Sequence, residues 1–156
     1  MVASGDDVTA YDVNLALQHN AGPSTLGTTD FTATSGTTEK LLDTWTGTVT
    51  AGHKYKIKYV WAYQATVLND RFFIRIREGL TTAGTQIAVV NKVHLEPINT
   101  LVPGIPTEAE WTASVTTAAQ SFCATIERNN GTGTATIRGF TSQQRILSVV
   151  WLGPYA

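Results

Sequence analysis

The chain has 156 residues, 12 acidic and 11 basic, for a net charge of -1. That length suits one domain with a real core, and the near-zero charge removes any global pull toward nucleic acid or an anionic membrane. Charged residues make up only 15% of the chain, against about a quarter in ordinary domains; 26 threonines supply a polar, strand-favouring surface instead.

Residues 1–37 read as an extended arm. Tyr11, Val13, Leu15 and Leu17 alternate as in a strand, with a helix over Asp12–His19 as the alternative, and Asn20-Ala21-Gly22-Pro23-Ser24 is a cluster of turn residues. Thr28–Thr38 has Phe31 as its only large anchor, so it has little to bury and is expected to be held by a neighbour. The compact domain is expected over residues 38–156.

Leu41–Thr50 predicts a strand with Leu41, Asp43, Trp45, Gly47 and Val49 in one phase. From Lys54 to Glu78 the alternation is strict. Tyr55, Ile57, Tyr59, Trp61, Tyr63 and Val67 face one side, and after the Asn69-Asp70 bend Phe72, Ile74 and Ile76 resume the apolar phase. Such alternation marks half-buried strands at the centre of an antiparallel sheet. Thr85–Leu95 returns as a strand, and the prolines at 97, 103 and 106 make Glu96–Thr107 an irregular connection. Thr107 and Glu110 have capping-box spacing, but Trp111, Ala113 and Val115 alternate and favour a strand. Ser121–Arg128 and Thr132–Phe140 flank Asn129-Asn130-Gly131, the pattern of a hairpin. Ile146–Leu152 is apolar on both faces, as befits a strand that is central or packed on a partner subunit. The whole predicts an all-β, antiparallel β-sandwich of jelly-roll type with eight or nine strands. Tyr55, Ile57, Tyr59, Trp61, Phe72, Ile74, Ile76, Trp111 and Phe122 are its expected core.

Few residues promise chemistry. His19, His53 and His94 sit in the arm, a turn and a strand end, and only His94-Leu95-Glu96 has a second ligand type nearby; zinc needs three or four convergent ligands. They read as surface histidines. The single Cys123 excludes an intrachain disulfide framework and lacks a local activating histidine. Glu108 and Glu110 project together as a solvated edge pair, and Asp6-Asp7 lacks a calcium-loop pattern. Gly131-Thr132-Gly133 lacks the context of a phosphate loop. No catalytic residue, cofactor or metal is therefore expected, and the chain reads as no enzyme. Lys54, Lys56, Lys58, Arg71, Arg75 and Arg77 form a basic stripe that would share one sheet surface. Nucleic acid is an unlikely partner for it at this net charge; a solvated outer face or ion pairs across a subunit interface compete. Met1–Asp7 lacks the basic and apolar regions of a signal peptide, and no segment is long enough to span a bilayer. Folding in a reducing cytosol is the expectation.

The segment Tyr59–Glu78 resembles small β-sandwich virion proteins of tailed phages that infect actinobacteria, as do Arg128–Ile137 and Ile146–Pro154. The resemblance covers about Thr38 to Pro154. It implies a capsid decoration or tail appendage protein working in the virion, commonly a homotrimer, with the arm contacting the major capsid protein or another virion component. A tail-fibre or baseplate piece, or a carbohydrate-binding module recognising a host glycan through Tyr63, Phe73 or Trp151, is the alternative.

Overall fold

The structure, a computed structural model, describes residues 25–27, 29–33, 38–104, 106–139 and 145–154. Among them there is no helix. The strands are β1 (Thr25–Gly27), β2 (Phe31–Ala33), β3 (Lys40–Val49), β4 (His53–Val60), β5 (Ala62–Ala65), β6 (Arg71–Glu78), β7 (Thr85–Val93), β8 (Val102–Pro103), β9 (Thr107–Thr112), β10 (Thr117–Asn130), β11 (Ala135–Ile137) and β12 (Arg145–Pro154).

These twelve segments form eight long strands. β4 and β5 are one line of chain interrupted only at Trp61, and every neighbour is interrupted at the same level. β12 pairs with β4, with Ile146 opposite Val60, while β11 pairs with β5, with Ile137 opposite Tyr63. On one flank β9 pairs with β4 and β8 with β5. On the other, β1 pairs with β12 and β2 with β11. The result is a four-stranded sheet with a break across its width, opposed by a second sheet of order β3-β10-β6-β7. With each interrupted pair counted once, the sheets read first-eighth-third-sixth and second-seventh-fourth-fifth in chain order. Every pairing is antiparallel. This is a jelly-roll β-sandwich.

The core follows from period-two alternation. Tyr55, Ile57, Tyr59, Trp61, Tyr63 and Ala65 along β4–β5 meet Phe72, Ile74 and Ile76 of β6 and Phe122, Ala124 and Ile126 of β10, all buried. Trp111 lies at the rim, partly buried, with its ring edge-on to Phe122 at 5.2 Å.

A charged cluster lies inside this interior, between the two sheets. Arg145 of β12 donates from Nε and Nη2 to the Asp43 carboxylate of β3, at 2.9 and 3.2 Å. Tyr59 Oη donates to the same carboxylate at 2.6 Å, and Arg145 Nη1 reaches the Thr29 carbonyl at 2.8 Å. Both ionic side chains are 6% exposed. The cluster thus joins the two sheets beside the break. Burial, reinforced by the Asp43 charge, raises the Tyr59 phenol well above its ordinary value, so it stays a donor. Glycine admits the bulky groups around this level: a Cβ at Gly27 would press into the Arg145 guanidinium, and one at Gly104 into the Trp61 indole.

Four expectations are corrected. Strands β1 and β2 fall inside residues 1–37, so the sandwich begins before Thr38; residues 1–24 lie outside the described set. β4 and β6 belong to different sheets, because alternation assigns faces and not pairing partners. The Asn129-Asn130-Gly131 turn makes no hairpin: β10 pairs with β3 and β6, β11 with β2 and β5, and the turn crosses between sheets. Leu41 is exposed although Asp43 is buried, because the register slips where Asp43 pairs with Ala124 and Leu41 with Thr125, and a bulge reverses the face.

Candidate assembly surface

The turns leaving β5, β7 and β10 gather at one end of the sandwich and are joined by main-chain hydrogen bonds. Asn69 N–H donates to His94 O at 2.8 Å, His94 N–H to Asp70 O at 2.9 Å, and Asn99 N–H to Ala65 O at 2.8 Å. Gln64 Nε2 adds a bond to Asn99 O at 2.7 Å. Asn69 and Asn99 take positive φ, 64° and 60°, a conformation asparagine tolerates better than most residues.

The third turn wraps a carboxylate. Thr132 N–H donates to Asp70 Oδ1 at 3.1 Å and Gly133 N–H to Oδ2 at 2.5 Å. A Cβ on Gly131 or Gly133 would collide with that carboxylate. Gly131-Thr132-Gly133 is thus an anion-binding nest occupied by the protein's own Asp70.

On this fixed frame the adjoining loops hold apolar side chains in solvent. Val67 and Leu68 are exposed on one loop, and Leu95 and Ile98, 71% and 56% exposed, on the other. Val67, placed inward by its phase, is therefore on the outside; the inward run ends at Ala65. Exposed apolar groups on neighbouring, hydrogen-bonded loops make this end a candidate interaction surface.

His94 lies beneath the loops, fully buried and not on the surface as its position suggested. Its ring meets Tyr63 edge-on at 5.6 Å, with Nδ1 3.4 Å from Tyr63 Oη. Burial lowers the His94 pKa from its ordinary 6.5, partly offset by the Glu96 and Asp70 charges, and burial with Glu96 pushes Tyr63 up to about 12. The unfolded chain therefore binds a proton at His94 before the folded one does. Its contribution to stability is complete above 6.5 and is lost as pH falls below that, through the depressed folded value. In thermal melts from about pH 7.5 to about pH 5.5, His94→Gln should lose less stability than the parent; parallel losses would show that His94 does not titrate with unfolding.

The basic stripe is divided and paired. Lys54, Lys56 and Lys58 stand on the outer face of β4 beside Glu108 and Glu110 of β9: Lys54 lies 2.5 Å from Glu110, and Lys56 and Lys58 lie 2.7 and 3.1 Å from Glu108. The arginines belong to the other sheet. Glu39 receives both Arg77 Nε and Nη2 at 2.7 Å and the Thr125 hydroxyl, while Arg75 reaches Glu127 at 2.6 Å. Burial would raise the Glu39 carboxyl, but the bonds from Arg77 and Thr125 and the charges of Arg77 and Arg75 carry it below its ordinary value. No shared six-cation surface exists, because the two runs lie in different sheets.

Of the aromatics named for glycan stacking, Tyr63 is buried. Phe73 is partly buried with the Arg75 guanidinium 4.8 Å over its ring, and Trp151 stacks on His53 at 5.3 Å. Cys123 is buried, its Sγ 3.5 Å from Thr81 O, and burial raises its pKa, the reverse of nucleophile activation. Among the described residues no three His, Cys, Asp or Glu converge as metal ligands. His19, Asp6 and Asp7 lie outside them. The sequence reading missed the Asp43–Tyr59–Arg145 cluster and the apolar loops. Buried-phase Asp43 was the available cue for the first, and Leu95 and Ile98 amid turn residues for the second.

No protein-family model matches the sequence, and no curated protein sequence matches it. Among solved structures, the chain is similar to a mutant VP2 protein of infectious bursal disease virus from T=1 particles, with TM-score 0.46 and 10% identity over 83% of this chain and 35% of VP2. It thus spans about a third of that chain. It is also similar to a protein described under CBM4 structure and function, with TM-score 0.45 and 11% identity over 85% of this chain and 90% of that one. A third similarity is to the C-terminal domain of EclA, a sugar-binding protein, with TM-score 0.38 and 14% identity over 78% and 76% of the two chains.

Proposed function

We propose that the protein is a structural subunit of a larger assembly: a phage virion accessory protein that coats or stabilises the capsid shell as a homotrimer. The observation that carries this reading is the loop end, where Val67, Leu68, Leu95 and Ile98 are held in solvent by main-chain bonds between their loops. Apolar side chains on loops already tied together by main-chain bonds bury area on association at a reduced ordering cost, and copies of the chain meet there. Residues 1–24, preceding β1, reach the major capsid protein or another virion component.

Light scattering on the purified chain should give three times its 16.8 kDa. A Leu95→Asp/Ile98→Asp variant should give a folded monomer with an unchanged far-ultraviolet circular dichroism spectrum, because both positions lie outside the core, and its melting midpoint should no longer depend on protein concentration. A monomeric parent that also fails to bind particles would sink the reading. Copy number in purified virions separates shell from tail: hundreds of copies fit a shell coat, a handful a fibre or baseplate.

A second reading, a glycan-binding module, draws on Phe73, whose ring stands on an outer sheet face in register between Glu127 and exposed Asn91. Saturable binding to a cell-wall polysaccharide, lost in Phe73→Ala, would favour it over the shell coat.

A further inference from the structure

We propose that Asn130 is a site of spontaneous covalent modification: its side-chain amide is lost to the backbone nitrogen of Gly131, which alters the turn that closes the loop end. The proposal rests on that turn alone and is independent of the assembly reading.

Of the seven asparagines, only Asn130 precedes a glycine. Both residues are exposed where the chain leaves β10. The Gly131 N–H donates to Asn130 Oδ1 at 2.8 Å, so the attacking nitrogen and the amide it attacks are already side by side. These are the two ends of a five-membered ring. Gly131 has a φ of 104° and no Cβ to shield its nitrogen.

The step balances with water alone. The Gly131 nitrogen gives its proton to solvent and bonds to Asn130 Cγ; the Cγ–Nδ2 bond breaks and ammonia leaves, giving a cyclic succinimide. Water then opens either ring carbonyl. One product is aspartate, and the other is isoaspartate, in which the main chain runs through the former side chain. Nothing is oxidised or reduced.

Its surroundings give the change an effect. The next two backbone N–H groups, of Thr132 and Gly133, hold the Asp70 carboxylate, and Gly131 abuts the same carboxylate so closely that a Cβ would not fit. A new carboxylate at residue 130 sets like charge beside Asp70. The isoaspartate form adds a main-chain atom just before the Thr132 and Gly133 N–H groups and so shifts them from the Asp70 carboxylate they hold. Gly133 also lies against Val67, so the disturbance reaches the exposed apolar loops.

The test is to age the full-length chain in warm, mildly alkaline buffer beside Asn130→Gln, Asn129→Gln and a synthetic peptide of residues 127–134, scoring mass and isoaspartate by peptide mass spectrometry. We expect the single-dalton gain and isoaspartate at residue 130 in the parent and in Asn129→Gln, within severalfold of the peptide's rate, and their loss in Asn130→Gln. The aged parent should also melt lower than aged Asn130→Gln. Conversion of the peptide while the folded chain stays intact would overturn the proposal, as would conversion centred on another asparagine.

Discussion

Replacing Asp43 by alanine is expected to lower the stability of the folded chain by about 3–5 kcal/mol, the cost of leaving a buried charge without its partner. Arg145 would keep only the Thr29 carbonyl, and the buried Tyr59 hydroxyl would lose its acceptor. Urea melts of Asp43→Ala, Arg145→Met and Asp43→Leu/Arg145→Met make the test specific. The double variant should recover most of the loss, because apolar groups of similar size often replace a buried pair at little cost. If the double variant is as damaged as either single one, the cluster matters for shape and not for charge.

Trp61→Ala is expected to cost about 3–5 kcal/mol, as for other large buried aromatics. Trp61 is 3% exposed, its ring 5.5 Å from that of Tyr63, and Gly104 lies against its indole with the Gly104 N–H bonded to its carbonyl at 2.9 Å. It occupies the point where β4 becomes β5, so the loss should appear in equilibrium melts and as faster hydrogen exchange in β5, β8 and β11. An unchanged midpoint would mean that the indole contributes nothing to closing the sandwich.

The faces of the strands were legible in the sequence because burial repeats every second residue. Ile57, Tyr59, Ile74, Ile76 and Phe122 are buried where the alternation puts them, and the jelly-roll class followed from strand number and spacing. Pairing was not legible. Alternation runs unbroken through Trp61, although the ladders break there, and the glycines that fit the break are far apart in sequence at 27 and 104. The Asn-Gly signal is local, and the assignment of β10 and β11 to opposite sheets overrode it. Glu108 and Glu110 were rightly read as projecting together, but only the β4–β9 register places them against the lysines. Leu95 and Ile98 stand amid turn residues, a local hint of exposure, but their grouping with Val67 and Leu68 depends on loop contacts between residues far apart in sequence.

The ion pairs on the two outer faces have a consequence at the scale of many molecules. Each Lys or Arg named in them has its carboxylate within 4 Å, less than the Debye length of about 8 Å in physiological salt. Their fields therefore fade within the first layers of solvent. Copies of the chain should repel one another little through these pairs, and the second virial coefficient of a dilute solution should change little with added salt.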